Sequence, residues 1–220
     1  MDALNRRVAE RLAAAGSPRT GPGPLADLAR ELLKWNRTVR LTALPDEEAI
    51  LEALVLDALD IAQEIPAGST VADVGSGAGF PGLVIAWAIP SVRVISIEAR
   101  QKKVTFQEHA ARLLGLDNYR AFAIRITPQS VKEGLFGKPG SFSRLTAQAL
   151  GTPAFVLNLA GELLGPDGRA LFIRGPAFEA SERAELAASA PEWKIESVVR
   201  LEPRRHRENA VRVVCRRAAR

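Results

Sequence analysis

Residues 71–87 read VADVGSGAGFPGLVIAW. An apolar run carrying Asp73 leads into four glycines, at 75, 77, 79 and 82, and a second apolar run opens just beyond Pro81. Glycine supplies positive φ and lets a ligand approach the backbone closely, and proline is at home in the first turn of a helix. The stretch therefore predicts a strand, a tight turn and a helix, the unit with which an open α/β sheet begins its ligand crevice.

Outward from this unit the same rhythm continues. Short β-branched runs at 69–75, 92–99, 119–126, 140–146 and 169–175 alternate with helical segments at 81–88, 100–116, a short stretch after Pro128, 152–164 and 178–189. That alternation marks a parallel sheet covered on both faces. WKIESVVRLE (193–202) and NAVRVVCRR (209–217) read as a terminal antiparallel pair. Upstream the pattern is helical: Leu4, Val8 and Leu12 share a face, SPRTGPGP (17–24) interrupts, and 25–36 and 45–62 resume the 3.6-residue period. The expectation is an α/β fold, a doubly wound and mostly parallel Rossmann-like sheet. Residues 1–65 form an N-terminal helical extension and 66–220 the ligand-binding domain.

With 220 residues the chain is long enough to bury a full core. Its single Cys215 and two distant histidines, His109 and His206, supply neither an internal disulfide nor a zinc cluster, so no metal is expected. The opening MDALNRRVAERLAAAG reads as an amphipathic helix rather than a signal segment, and no apolar run reaches the roughly 20 residues of a membrane span. A soluble, cytoplasmic protein is expected. The net charge is +5, with seven arginines between Arg204 and Arg220. Such a surface attracts phosphate backbones without reading sequence, although an Ala- and Arg-rich composition also follows from genome base composition, and a charge run usually marks a solvated face.

Two ligand classes fit the glycine turn. Gly77 to Gly82 matches the dinucleotide pattern G-x-G-x-x-G, with Glu98 close to the ~20 residues further on that the pattern asks for. The acid discriminates. A carboxylate at Asp73 opposes a pyrophosphate at the helix N-terminus, whereas S-adenosyl-L-methionine brings an ammonium that an acid in or beside the pocket attracts. D-x-G-x-G-x-G followed by an acid at the end of the second strand favours S-adenosyl-L-methionine. In that reading Glu98 accepts from the ribose hydroxyls, with Gly75, Ser76, Gly77 and Gly79 in the turn and Ala99 beside the acid. The alternative role for Asp73 is to cap the turn.

These residues resemble the bacterial small-subunit (16S) ribosomal RNA guanine-N7 methyltransferases, also known as glucose-inhibited division protein B. The resemblance is carried by Trp35-Asn36 with Leu41-Thr42, Leu56-Asp57, DVGSGAGFPG at 73–82 and Lys102-Lys103-Val104-x-Phe106. Gly115-Leu116-Asp117-Asn118, Ser143-Arg144 and Arg174-Gly175 continue it. It implies a methyltransferase domain over 66–220 and a cofactor pocket lined by Gly75, Phe80, Ile126, Thr127 and Arg144, the adenine facing the Ile126-Thr127 backbone. The chain departs from the family's usual pattern at Leu54 (usually His), Ala58 (Ser), Glu98 (Asp), Ile126-Thr127 (Ala-Glu) and Arg174 (Lys). Arg144 aligns only with a one-residue offset. The family's Arg-His pair near the C-terminus faces Glu208-Asn209-Ala210 here, with Arg205-His206 upstream.

The implied reaction is methyl transfer to guanine N7, whose lone pair needs no prior deprotonation, so no catalytic base is expected. Arg144 and Arg174, each read as lying near a strand's carboxyl end, are the candidates for contacting substrate. The expected partner is ribosomal RNA or the small ribosomal subunit; the oligomeric state stays open, with a monomer as the simplest case. Two other classes compete: an NAD(P)-dependent oxidoreductase, from the overlapping glycine pattern, and a cofactor-binding RNA module that has lost activity, from the departures at Leu54, Ala58 and Ala210. Trp35 reads as a helix-to-helix contact, Asn36 as a helix cap, and His109 and His206 as solvated.

Overall fold

The computed structural model describes residues 2–148, 150–204 and 208–218. The strands are β1 (Thr70–Val74), β2 (Arg93–Glu98), β3 (Tyr119–Ala123), β4 (Phe142–Ala147), β5 (Leu164–Arg174), β6 (Trp193–Arg200) and β7 (Val211–Arg217). They form one seven-stranded sheet in the order β3-β2-β1-β4-β5-β7-β6. The first five pair in parallel, and β7 runs antiparallel to both β5 and β6. Strand order reverses between β1 and β4, which puts the ligand crevice at their carboxyl ends.

The helices are α1 (Asp2–Ala14), α2 (Gly23–Asn36), α3 (Glu47–Ile50), α4 (Leu56–Ala62), α5 (Gly82–Ala88), α6 (Gln101–Leu113), α7 (Pro128–Lys132), α8 (Pro153–Leu163) and α9 (Arg183–Ser189). A wider helical turn, Leu51–Val55, joins α3 to α4. Sequence signals explain their ends. Asp46 accepts from the Ala49 N–H at 2.8 Å to start α3, and Thr152 does the same for Phe155 at the start of α8. Every residue of α5 is buried, as a helix apolar on all sides must be.

Two apolar clusters sandwich the sheet. One joins Leu25, Leu28 and Leu32 of α2, Leu56 and Leu59 of α4, Leu83 and Ile85 of α5, and Phe106 of α6. The other joins Leu145 of β4, Leu157 of α8, Phe172 of β5 and Phe178. The helices before residue 63 thus share one buried layer with α5 and α6.

Two strands differ from their sequence reading. β3 stops at Ala123: the Ile124 N–H makes a last bond to β2, with the Glu98 carbonyl at 3.0 Å, and the chain then turns to cap α7 through Thr127. β5 begins five residues early, at Leu164. Gly165-Pro166-Asp167-Gly168, between the expected helix and strand, is absorbed where the β4–β5 register shifts between Phe142 and Arg144.

Candidate cofactor site

At the end of β1 the chain enters three positive-φ residues, Gly75 at +65°, Gly77 at +59° and Gly79 at +93°. A side chain is excluded at two of them sterically as well. A Cβ on Gly75 would lie 2.7 Å from Leu150 Cδ1, and one on Gly79 would lie 2.5 Å from Leu83 Cδ1. The turn is anchored to β2 by the Gly75 N–H, which donates to the Ile97 carbonyl at 2.8 Å.

Glu98 closes the other side of the crevice. Its Oε2 accepts from the Gly77 N–H at 3.1 Å and its Oε1 from the Arg100 N–H at 2.9 Å. A carboxylate has about four acceptor positions, so both oxygens keep capacity for hydroxyl donors. Ala99 follows on the exposed rim. The Lys103 ammonium lies beside the turn, 3.8 Å from where a Gly77 Cβ would sit.

Asp73 takes the capping role, not the ligand-facing one. It is fully buried, its Oδ2 accepts from the Gly82 N–H at 2.8 Å and its Oδ1 from the Thr146 hydroxyl at 3.0 Å. Burial pushes its carboxyl up to about 7, against the downward pull of those two bonds. Strand alternation decides this outcome. Asp73 points at the first residue of α5 and at its neighbour in β4, so its bearing on a cofactor runs through the shape of the turn.

Other predicted residues divide. Ser76 is buried and turned inward onto Ser96 and Gln107, and Phe80 sits in the core beneath the turn. Ile126 packs partly buried against the second cluster, and Thr127 closes a capping box with Ser130 at the head of α7. Arg144 corrects the reading of a strand-end cation: it pairs with Val71 and Arg169, three residues before β4 ends, and bonds the carbonyls of Glu64 at 3.3 Å and Ser143 at 2.7 Å. Burial lowers its pKa. It therefore lies away from the carboxyl-end crevice. Arg174 does lie at the carboxyl end of β5, but its guanidinium is tied to both oxygens of Glu182, at 2.8 and 2.5 Å, and to the Gly151 carbonyl at 3.2 Å. That is a brace for the following turn rather than a free cation.

The remaining conspicuous residues are structural. Trp35 meets Phe106 edge-on at 5.6 Å between α2 and α6, as expected. Asn36 secures a loop instead of capping its helix: its Oδ1 accepts from Leu41 and Thr42 N–H, and its Nδ2 donates to the Thr42 carbonyl. His109 stays about one-third exposed, at 34%, and its Nε2 lies 3.0 Å from Glu31. His206, with Arg205, falls outside the described residues. Two of the C-terminal arginines are internal. Arg204 is buried between Asp57 and Asp60, and Arg212 donates to the Asp60 carbonyl at 2.6 Å and pairs with Glu64 at 2.5 Å.

Sequence reasoning missed Ser96, Gln107, Tyr119 and Thr146, which hold the turn from behind, and Leu150, which packs directly on Gly75. For Gln107 a signal existed: it lies three residues from both Val104 and Ala110 and four from Ala111, on the buried stripe of α6.

A sequence model of the rRNA small subunit methyltransferase G family matches residues 24–214. The chain belongs to that family. The ribosomal RNA small subunit methyltransferase G of Syntrophotalea carbinolica is 40% identical over 157 residues, 71% of this chain and 70% of the relative. That of Myxococcus xanthus is 37% identical over 177 residues, 80% of this chain and 78% of the relative, and that of Xylella fastidiosa 34% over 179 residues, 81% and 79%. In fold, the chain is similar to a SAM-dependent methyltransferase from Aquifex aeolicus, with a TM-score of 0.57, 18% identity, and 76% of this chain and 92% of the other covered. A ribosomal protein L11 methylase from Lactobacillus delbrueckii gives 0.54, with 21% identity and 74% and 78% coverage. Among the described residues no helix is long and apolar enough to cross a membrane.

Proposed function

We propose that this chain methylates N7 of a guanine in small-subunit ribosomal RNA, using S-adenosylmethionine bound at the glycine turn. Family membership over residues 24–214 is the observation that carries the reading. It disfavours the NAD(P)-dependent alternative, which rested only on the shared glycine pattern.

The residues present fit the cofactor. Gly75, Gly77 and Gly79 turn the backbone at positive φ, the space beside Gly77 holds nothing nearer than the Lys103 ammonium at 3.8 Å from a Cβ position, and Glu98 has acceptor capacity left for a ribose diol. S-adenosylmethionine held there would supply an electrophilic methyl: the in-plane lone pair of guanine N7 would form the new C–N bond as the C–S bond breaks, the thioether would leave, and no proton need move. The protein's part is then orientation, which is worth on the order of 7–11 kcal/mol when two reactants are held in line. Glu98 fixes the ribose, the Ile126-Thr127 backbone receives the adenine, and the Asp73 bond to Gly82 fixes the head of α5 and so the turn. No side chain is assigned as a base. The enzyme acts in the cytoplasm, with a monomer as its simplest state.

The test is transfer of labelled methyl to naked ribosomal RNA and to assembled small subunits, followed by mapping. N7-methylguanine at one position supports the proposal. Label on another atom, or on protein, overturns the target; cofactor binding with no transfer to either substrate supports a lapsed RNA-binding module instead.

A further inference from the structure

Behind the glycine turn lies a buried polar cluster. Gln107 of α6 is completely buried, as is Ser96 of β2, and Ser76 and Tyr119 are nearly so. The Gln107 Nε2 donates to the Gly77 carbonyl at 2.8 Å and to Ser76 Oγ at 3.0 Å. Its Oε1 accepts from the Tyr119 hydroxyl at 2.8 Å and the Ser96 hydroxyl at 2.7 Å, and the two serine hydroxyls lie 2.6 Å apart. A carboxamide has two donor hydrogens and two acceptor lone pairs; all four are used.

The physical reason for burying an amide here is the Gly77 peptide. A turn residue outside helix and sheet must find partners for its own N–H and C=O. Gly77 finds them on opposite sides: its N–H donates to Glu98 and its C=O accepts from Gln107. The two peptide planes around Gly77 are therefore clamped between one carboxylate and one carboxamide. A fully satisfied buried network is rigid, and this one spans β2, β3, α6 and the turn.

We propose that Gln107 is a positioning residue of the cofactor site. It holds the Gly77 carbonyl, in the peptide plane that follows Gly77, and through the φ and ψ of Gly77 restrains the preceding plane, whose N–H meets the Glu98 carboxylate, before the cofactor arrives. The inference rests on the assignment of Glu98 to the ribose. Without Gln107 the Gly77–Ala78 peptide turns to find another donor, the φ and ψ of Gly77 shift with it, and the Gly77 N–H moves off the Glu98 Oε2 that it holds toward the crevice.

The experiment is calorimetric titration of the full-length protein with S-adenosylhomocysteine, for wild type, Gln107→Leu, Glu98→Gln and the double variant. Circular dichroism and thermal melting establish that each is folded. Each single change is expected to weaken binding about tenfold, the scale of one lost buried hydrogen bond. The double variant should be at most about threefold weaker than the weaker single variant, because both changes undo the same alignment. In methyl-transfer assays the KM for S-adenosylmethionine should rise in each single variant by about the factor lost in binding. If Gln107→Leu does not fold, Ser96→Ala replaces it and should weaken binding about threefold, with the same coupling to Glu98→Gln. Penalties that simply multiply overturn the positioning role, as does wild-type affinity in the Gln107 or Ser96 variant beside a weakened Glu98→Gln. Wild-type affinity in Glu98→Gln overturns the ribose assignment itself, and the inference with it.

Discussion

Thr146→Val removes one hydroxyl and nearly nothing else. That hydroxyl donates to Asp73 at 3.0 Å, both residues being fully buried, so the variant leaves the carboxyl with the Gly82 N–H. The cost depends on charge. Asp73 has its pKa raised by burial from 3.8 to about 7, so between those values the folded protein holds a proton that the unfolded chain has released. Stability linked to this group is therefore full at low pH and declines as pH rises through the folded pKa. Below that point Thr146 bonds a neutral acid, worth about 0.5–1.5 kcal/mol; above it the bond is charge-assisted, about 1.5–3 kcal/mol. The valine variant should then lose about 1 kcal/mol more at about pH 8 than at about pH 5, which corresponds to raising the folded pKa of Asp73 by nearly another unit. Urea unfolding followed by the fluorescence of the three tryptophans measures this. In an Asp73→Asn background the penalty should no longer depend on pH. An equal penalty at both pH values in the native background, or a larger one at about pH 5, refutes the reasoning.

Three further outcomes are expected. Gly77→Val places a β-branched residue at φ +59°, which costs at least about 1–2 kcal/mol in backbone strain; S-adenosylhomocysteine affinity by calorimetry should fall more than about tenfold. Arg204→Ala removes a buried guanidinium shared by Asp57 and Asp60, while Asp60 keeps Arg11 at 2.9 Å, and chemical denaturation should show a loss of about 3 kcal/mol, the low end for a broken buried pair. Arg174→Ala removes a partly exposed brace to Glu182. It should cost no more than about 1 kcal/mol in the same assay and leave cofactor affinity unchanged in calorimetry.

What could be read from the sequence is what short-range rules govern. Glycines at 75, 77 and 79 need positive φ whatever surrounds them, and alternation of apolar runs with helical stripes fixes a parallel sheet and its crevice. Side-chain partners across the fold obey no such rule. Asp73 and Thr146 are 73 residues apart, and Arg204 and Asp57 are 147 apart; neither pairing has a local signature, so a ligand-facing acid and a solvated basic tail were the natural readings. Arg144 fails for a different reason. Its neighbours identify a strand, but the register that sets it beside Val71, at the far end from the crevice, depends on pairing with β1. Gln107 is polar, and only its spacing to Val104 and Ala111 puts it on the buried stripe of α6.

The most direct test of the central claim is a crystal structure of the protein with S-adenosylhomocysteine. The account predicts the ribose hydroxyls within hydrogen-bonding distance of Glu98, the chain of the ligand crossing the glycine turn, and Asp73 still bonded to Gly82 and Thr146. A ligand bound away from the carboxyl ends of β1 and β2, or a ribose with no contact to Glu98, contradicts it.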